Sequence, residues 1–255
     1  MIPFSVVIIC KNEAAVISPC LDSIAGLADE IVVLDSGSTD GTQTLCAAHG
    51  ARVIDTDWPG FGVQKQRAVE AARNDWVLCL DADERVSPEL AASLRVALAS
   101  PSFPAYRFAR ANRFLGRYLR HGEGYPDWSL RLFDRRVARW SNDAVHEKVL
   151  CEAPVGRLDG DLLHDSAETL ESYLAKQNRY TSLAAGMADV DGPPVSVVRL
   201  LMSPLLRFVK FYIVRGGFRD GLPGFVHIAI GCFNSFIKYA KIRERQLRRF
   251  SSDAQ

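Results

Sequence analysis

The sequence lacks both common glycine-rich phosphate loops: no GxGxxG follows its first strand-like run, and no GxxxxGK[ST] occurs anywhere. A bound nucleotide would therefore need other groups to hold its phosphates. The six cysteines form no CxxC pair and no metal-ligand spacing, which favours a reduced, cytosolic setting. We expect no secretory signal, because the apolar start MIPFSVVIIC has no basic region before it and no cleavage site after it.

An excess of charge of one sign is also missing. The 255 residues include 31 Lys and Arg against 30 Asp and Glu, a formal charge of +1, which indicates no nucleic-acid partner. The total hides an asymmetry, since residues 1–194 contain 20 basic and 27 acidic side chains, a net charge of −7. Residues 195–255 contain 11 and 3, a net charge of +8. A basic segment after an acidic body indicates an anionic partner.

Four apolar runs alternate with helical patterns over the first hundred residues. The runs FSVVII, EIVVLD, ARVIDT and WVLCLD are predicted strands. Helices are predicted at about 14–25, 41–49, 63–73 and 88–99, the last capped by Ser87 with Pro88 at its first position. Apolar strands without polar alternation are typical of a parallel sheet covered on both faces, so we predict an open α/β sheet. One more helix is predicted over 167–188.

Polar residues follow three of these strands, at the points where ligands of open α/β sheets bind. They are residues 11–13, 35–41 and 81–84. The last group places three carboxylates directly after an apolar strand, in WVLCLDADE. Mg²⁺ and Mn²⁺ prefer oxygen ligands and bridge to phosphates, so Asp81 and Asp83 predict a metal–nucleotide site. The alternative is that they cap the following helix or line a solvated turn.

Several segments together resemble a known family: SVVIICKNE, IVVLDSGSTDGT, GFGVQKQRA and WVLCLDADE are similar to family 2 of the inverting, GT-A type glycosyltransferases. The later RLFDRR and VHEKV segments and the basic C-terminal end resemble the bacterial lipopolysaccharide inner-core beta-glucosyltransferase subgroup. The resemblance implies an α/β fold of GT-A type, with an open mixed sheet flanked by helices. It implies a nucleotide-sugar-binding half at 1–100, an acceptor-binding and catalytic half at 101–192, and a basic amphipathic helical extension at 193–255.

The family pattern also implies roles for individual residues. The nucleotide would be bound by Glu13, Asp35, Lys65 and Asp81. Of these, Glu13 and Asp35 would meet the uridine end, Lys65 the base or phosphates, and Asp81 the ribose or the metal. Asp83 would be the main ligand of a divalent metal, Mg²⁺ or Mn²⁺. Ser36 departs from the pattern, because many members have a second aspartate there, so Asp35 alone must serve.

Inversion at the anomeric carbon requires a base that takes the proton of the acceptor hydroxyl. The candidates are Asp127, in GYPDWSLRLF, and Glu147, in AVHEKV. Either acid could instead be exposed in a loop or could pair with Arg131 or Arg135.

Two histidines are candidates for completing the metal site, as a downstream histidine does in some family members. We expect His164, in LLHDS, ahead of His146, and the alternative for each is a structural histidine. A run of arginines interleaved with aromatic residues could grip an anionic acceptor or could line a solvated strand face. These arginines are Arg107, Arg110, Arg113, Arg117 and Arg120.

After Pro193 and Pro194, basic residues recur among Leu, Phe, Val and Ile. The longest charge-free run, Gly221 to Ile237, is interrupted by Gly and Pro, and its apolar part is shorter than the roughly 20 residues of a spanning helix. The pattern predicts helices that lie in an anionic membrane interface. The alternative is a helical pair packed on the catalytic domain.

Together these features predict a peripheral enzyme at the cytoplasmic face of a bacterial inner membrane. It would transfer a hexose, foremost glucose from UDP-glucose, with inversion onto a lipid-linked saccharide such as the lipopolysaccharide core. One alternative is a nucleotidyltransferase that makes sugar nucleotides, although CKNEAAV is not the glycine-rich basic loop that such enzymes need. The other is a non-catalytic, membrane-bound carbohydrate-binding module, which needs no metal–nucleotide site.

Overall fold

The structure, a computed structural model, describes residues 2–143, 147–166, 169–188 and 192–252. The chain divides into two compact units. The sheet unit comprises residues 1–112 and 126–165, and the helical unit comprises residues 113–125 and 166–255. The helical unit thus combines a short segment from the middle of the chain with the whole C-terminal part.

The sheet unit contains an open mixed sheet. In chain order the strands described in the two units together are β1 (Phe4–Cys10), β2 (Glu30–Asp35), β3 (Arg52–Asp55), β4 (Trp76–Asp81), β5 (Glu84–Val86), β6 (Ala105–Phe114), β7 (Arg117–Tyr118), β8 (Asp127–Asp134), β9 (Ala138–Trp140), β10 (Val149–Cys151) and β11 (Val155–His164), of which β7 belongs to the helical unit. The main sheet has the order β3-β2-β1-β4-β8-β6-β11-β5. Its first four strands are parallel, and β8 runs antiparallel to both β4 and β6. This confirms the predicted open mixed sheet.

The helices of the sheet unit follow the predicted alternation. They are α1 (Ile17–Ser23), α2 (Thr42–Ala48), α3 (Phe61–Ala71) and α4 (Pro88–Ala99). The cap of α4 is confirmed, because the Ser87 hydroxyl accepts the N–H of Leu90 at 3.2 Å and Pro88 occupies the first helical position. α3 begins at Phe61, ahead of its predicted start, and the turn before it contains Gly60 at a φ of 111°.

Every residue of β1 is buried, as a strand covered on both faces requires. Alternate side chains enter different clusters: Phe4, Val6 and Ile8 pack in one, and Val7 and Ile9 pack in the other. The helices therefore cover both faces of the parallel strands. The polar loops that follow β1, β2 and β4 lie at the edge formed by the carboxyl ends of these strands.

The helical unit confirms the helices predicted in the C-terminal part. It contains α5 (Leu170–Gly186), α6 (Val197–Phe208) continued by a π-helical segment (Val209–Val214), a 3₁₀ segment (Gly217–Asp220) and α7 (Gly221–Ser252). α7 packs against both α5 and α6. Within the described residues, none of the helices combines the length and the apolar character needed to cross a bilayer.

Two buried or half-buried ion pairs fix residues 113–125 within the helical unit. The carboxylate of Asp220 accepts the backbone N–H of Arg120 at 3.0 Å and that of His121 at 2.8 Å, and it contacts the His121 ring at 2.9 Å. Glu123 accepts two hydrogen bonds from the guanidinium of Arg207, the one from Nε at 3.1 Å. The middle segment is thereby tied to the C-terminal helices.

Candidate active site

The carboxyl ends of β1, β2 and β4 meet at one edge of the sheet. In the strand register Ile9 lies opposite Asp81, and Cys10 lies opposite Asp35. The three polar loops predicted from the sequence are thereby adjacent. The loops after β1 and β4 border a cavity of about 490 Å³, whereas none of the described residues of the loop after β2 lines it. The lining residues are Ile9, Cys10, Lys11, Glu13, Trp58, Phe61, Asp81, Ala82, Asp83 and His164.

Asp35 is fully buried and organises the loop that follows β2. Its carboxylate accepts the N–H groups of Gly37 at 3.1 Å and Ser38 at 2.7 Å, the Ser38 hydroxyl, the Gln43 amide at 2.8 Å and the Cys10 thiol at 3.3 Å. Burial raises the pKa of Asp35, but these hydrogen bonds, led by those of Gln43 and Ser38, outweigh it and lower the pKa. Asp35 is not among the residues that line the cavity.

Glu13 does line the cavity, and the loop after β1 sets its position. Asn12 has a φ of 56°, a left-handed conformation that asparagine tolerates. Its backbone N–H donates to the Ser38 hydroxyl at 2.8 Å, and its side-chain oxygen accepts the N–H of Thr39 at 2.9 Å. Burial raises the pKa of Glu13, and the nearby carboxylates of Asp83, Asp40 and Asp81 raise it further. A cation or a hydrogen-bond donor bound in the cavity would relieve this repulsion.

The two aspartates of the Asp-x-Asp motif have different partners. Asp81 pairs with Lys65 at 2.9 Å and with Arg131 at 2.9 Å. Burial raises the pKa of Asp81, but the charges of Arg131 and Lys65 hold it well below its usual range. Asp83 instead contacts Nε2 of His164 at 3.1 Å. The turn between β4 and β5 thus directs one carboxylate to two cations and the other to a histidine.

His164 is oriented by a second hydrogen bond. Its Nδ1 lies 2.7 Å from Oδ1 of Asn112, which directs the other ring nitrogen toward Asp83. Burial lowers the pKa of His164, but the hydrogen bond and charge of Asp83 outweigh it and raise the pKa. Metal-binding histidines use this arrangement, in which one ring nitrogen binds the ion and the other is held by an oxygen.

The carboxylate of Asp83 and the imidazole of His164 lie 3.1 Å apart at the cavity wall and would together hold a divalent ion. Among the described residues, no group of three or more His, Cys, Asp and Glu could hold an ion by itself. The oxygens of a nucleotide diphosphate and water would supply the remaining ligands.

Strand pairing brings these two residues together across 81 positions of sequence. β5 runs antiparallel to the end of β11, with His164 opposite Glu84. The N–H of Asp165 donates to the backbone oxygen of Asp83 at 2.9 Å. The pair is therefore placed by the end of β11 and by the turn between β4 and β5.

The two candidate bases lie at opposite ends of one chain of ion pairs. Asp127 pairs with Arg110 at 2.7 Å, and Glu147 pairs with Lys65 at 3.0 Å. Contacts of opposite charges connect these ends in the order Asp127, Arg110, Glu84, Arg131, Asp81, Lys65 and Glu147. Neither candidate is among the residues that line the cavity. The histidine considered beside Glu147, His146, lies outside the described residues.

Four residues of the site were missed by the sequence reasoning or given another role. Trp58 and Phe61 form an edge-to-face pair, with ring centroids 4.8 Å apart, and both line the cavity. An aromatic residue in the short turn WPG before a helix was the available signal. For Arg131 the available signal was a charged residue within a predicted buried strand. For Asn112 the neighbouring sequence contains no feature that would have indicated a role in the site.

The arginine run does not form a single surface in the sheet unit. Arg110 belongs to the chain of ion pairs, and Arg107 lies over the Trp128 ring at 5.5 Å. Arg157, from β11, lies over the same ring at 4.3 Å. The later members of the run, from Arg113 onward, belong to the helical unit.

The helical unit leaves exposed one face of α6 and of the π-helical segment that continues it. We call this face the apolar stripe, and its members are 39–75% exposed: Val197, Val198, Leu201, Met202, Leu205, Leu206, Val209, Ile213 and Val214. Spacings of four residues place these side chains on one side of the helix. Exposed basic residues occur along and beyond it, at Arg199, Lys210, Arg215 and Arg219.

Comparison with known proteins identifies the family. The model of Glycosyl transferase family 2 matches residues 5–153. The lipopolysaccharide core biosynthesis glycosyltransferase LpsC of Rhizobium meliloti (strain 1021) is 33% identical over 256 residues, which cover 96% of this chain and 93% of that protein. An uncharacterized glycosyltransferase of Rickettsia typhi is 32% identical, over 96% of this chain and 88% of its own length.

Two solved structures are similar in fold. Glucosyl-3-phosphoglycerate synthase from Mycobacterium tuberculosis, in complex with Mn²⁺, UDP and glucosyl-3-phosphoglycerate, matches with a TM-score of 0.47 and 21% identity, over 73% of this chain and 81% of that one. TarS 1–349 of S. aureus matches with a TM-score of 0.49 and 14% identity, over 98% and 92%. The family model and the curated relatives show that the chain belongs to glycosyl transferase family 2.

Proposed function

We propose that this family 2 glycosyltransferase transfers a hexose, foremost glucose, from a UDP-sugar to a lipid-linked saccharide such as the lipopolysaccharide core, with inversion. The observation behind the proposal is the pair of Asp83 and His164, held 3.1 Å apart at the wall of the cavity. The similarity to a lipopolysaccharide core glycosyltransferase over nearly the whole chain supports the acceptor class. Membership of the family argues against both a nucleotidyltransferase and a non-catalytic binding module.

In this proposal Asp83 and His164 hold the divalent ion, Mg²⁺ or Mn²⁺, through one carboxylate oxygen and Nε2. A bound ion would neutralise the charge that develops on the leaving diphosphate. Lys65 and Arg131 keep Asp81 ionised beside the site. Glu13, at the cavity wall, would accept hydrogen bonds from the nucleoside. Asp35 would act indirectly, by shaping the loop after β2.

The base would be Asp127 or Glu147. It would accept the proton of the acceptor hydroxyl while that oxygen attacks the anomeric carbon from the side opposite the leaving diphosphate. Arg110 pairs with the carboxylate of Asp127 and Lys65 with that of Glu147, which limits the movement of each carboxylate. Side-chain exposure of 38% for Asp127 and 18% for Glu147 leaves both accessible to an acceptor.

The helical unit supports a location at the cytoplasmic face of a bacterial inner membrane. A stripe of nine large apolar side chains exposed to water is unusual for a surface with no partner. Flanking Arg and Lys residues match the negative charge of anionic lipids. We therefore propose that α6 lies in the plane of the membrane surface, with the apolar stripe in the interface.

The proposed activity can be tested by turnover. The purified enzyme, with Mn²⁺ or Mg²⁺, is mixed with a panel of UDP-sugars and with lipid-linked saccharide fractions, and UDP release and labelled lipid are measured. We expect one UDP-hexose, foremost UDP-glucose, to label the lipid fraction in a reaction that EDTA stops. Labelling of a water-soluble acceptor alone, or transfer that EDTA leaves unchanged, would contradict the proposal.

A further inference from the structure

Glu84 is the one carboxylate of the DADE segment with no role so far. Its side chain is fully buried at the start of β5. A buried carboxylate is costly unless cations and hydrogen bonds compensate its charge. Its partners therefore indicate what it does.

Both oxygens of Glu84 are engaged. Oε2 accepts the backbone N–H of Asp81 at 3.0 Å, which closes the turn between β4 and β5 from inside. Oε1 accepts from Arg131 at 3.2 Å and from Arg110 at 3.4 Å. Glu84 thus links the turn that contains Asp83 to one arginine on β6 and one on β8.

The same residue lies directly across from the second metal-binding candidate. In the pairing of β5 with β11, Glu84 is opposite His164. Asp83 precedes Glu84, and its backbone oxygen accepts the N–H of Asp165 at 2.9 Å. A shift of the Glu84 backbone would therefore move Asp83 relative to Nε2 of His164, because Asp83 is bonded to Glu84 and Glu84 is paired with His164 across β5 and β11.

We propose that Glu84 is a positioning residue for the divalent ion, one that holds the turn so that Asp83 and His164 meet the ion at the required separation. The inference rests on the proposed function, since it assumes that these two residues bind the ion. Glu84 itself points into the protein and does not contact the ion. Its effect passes through the backbone of Asp81 and Asp83 and through the two arginines.

The test uses the full-length variant Glu84→Gln, which keeps the size of the side chain and removes its charge. Glu70→Gln is the matched control, because Glu70 is exposed on α3 and its side chain accepts a hydrogen bond from the side chain of Gln66 on the same helix. Binding of Mn²⁺ in the presence of UDP is measured by electron paramagnetic resonance, and folding by circular dichroism and thermal unfolding. Turnover is measured against Mn²⁺ concentration.

We expect Glu84→Gln to bind Mn²⁺ more weakly, by on the order of 10- to 100-fold, the range for partners that orient metal ligands. High Mn²⁺ should restore much of its turnover, which a purely structural defect would not allow. Folded Glu84→Gln that binds Mn²⁺ within twofold of the wild type would overturn the inference. If Glu84→Gln does not fold, Glu84→Asp is tested instead; it keeps the charge on a side chain shorter by one carbon. Mn²⁺ binding by folded Glu84→Asp within twofold of the wild type would likewise overturn the inference.

Failure of the proposed function has a different signature. If the wild type binds no Mn²⁺ with UDP, then the metal assignment itself is wrong and the inference falls with it. If the wild type binds and folded Glu84 variants bind equally well, only the positioning role is wrong.

Discussion

In the sheet unit every residue of β1 is buried, whereas in the helical unit no residue of α6 is buried. Six of the seven residues of β1 are apolar, against eight of the twelve of α6, which also contains two arginines, so composition accounts for part of the difference. β1 is covered on both faces within its own unit, and α6 is covered on one side only. Among the described residues the members of the apolar stripe remain 39–75% exposed, and this exposure is the basis of the proposed membrane contact.

Charged groups show the reverse arrangement. In the sheet unit seven charged side chains form one chain of ion pairs, which begins at Asp127 and ends at Glu147. In the helical unit, Arg199, Lys210, Arg215 and Arg219 remain exposed near the apolar stripe. Buried charges position chemistry, and exposed charges beside apolar side chains favour an anionic interface. This contrast supports our proposal that the first unit contains the catalytic site and that the second contacts the membrane.

The largest effect is expected at the ends of the ion-pair chain. Replacing the true base, as Asp127→Asn or Glu147→Gln, should lower turnover by on the order of 10²- to 10⁴-fold, because no group then takes the acceptor proton. Binding of UDP-sugar, measured by calorimetry, should change little. Glu152→Gln, at an exposed position nearby, is the control and should keep full turnover. Normal turnover in both base variants would place the base elsewhere.

The apolar stripe should control membrane binding. If each inserted leucine contributes about 1 kcal/mol, roughly half of its full burial value, Leu201→Ser, Leu205→Ser and Leu206→Ser together should weaken partition onto anionic vesicles about 100-fold. Val96→Ser serves as the control, because Val96 is 75% exposed on α4 of the sheet unit. Partition is measured by vesicle sedimentation at low and high salt.

Three outcomes of that experiment are informative. Loss of vesicle binding in the triple variant with turnover of a detergent-solubilised acceptor intact would support the division between the units. Unchanged vesicle binding would contradict the membrane role of the stripe. A wild type that forms concentration-dependent dimers, abolished in the triple variant, would assign the stripe to a second copy of the chain instead.

A smaller effect is expected where the ion is supported indirectly. Asn112→Ala removes the hydrogen bond to Nδ1 of His164 and should weaken Mn²⁺ binding by about 10-fold, at the low end for such partners. Asn74→Ala is the control, because it removes the hydrogen bond that the Asn74 side chain donates to the Ser5 hydroxyl, and this bond involves neither Asp83 nor His164. Equal Mn²⁺ affinity in the wild type and Asn112→Ala would show that the ring needs no such support.

Much of the site's location could be predicted, because it depends on local patterns. Apolar strands of a parallel sheet end at one edge, and the acids after β4 are visible as DADE. The cap at Ser87 is local as well, since it depends on residues three positions apart. These features need no knowledge of distant contacts.

Local pattern does not predict the partners within the site, because they depend on strand order. The placement of His164 beside Asp83 was expected only from the family resemblance. His164 reaches Asp83 only because β11 pairs with β5, and Asn112 reaches His164 only because β6 pairs with β11. Lys65 and Arg131 both pair with Asp81, and the fold alone brings these two side chains within contact distance of it. Local pattern identifies acids that can bind an ion, but only the fold decides which of them pair with arginine.

The most direct test of the account is the metal dependence of UDP binding to the wild type and to Asp83→Asn. Titration calorimetry with and without Mn²⁺ gives the affinity for UDP in each case, and Asp22→Asn, at a side chain 71% exposed outside the cavity, is the control. We predict that Mn²⁺ strengthens UDP binding to the wild type and to Asp22→Asn, and that folded Asp83→Asn loses this enhancement. Equal Mn²⁺-dependent binding of UDP by Asp83→Asn and the wild type would contradict the metal site and the mechanism built on it.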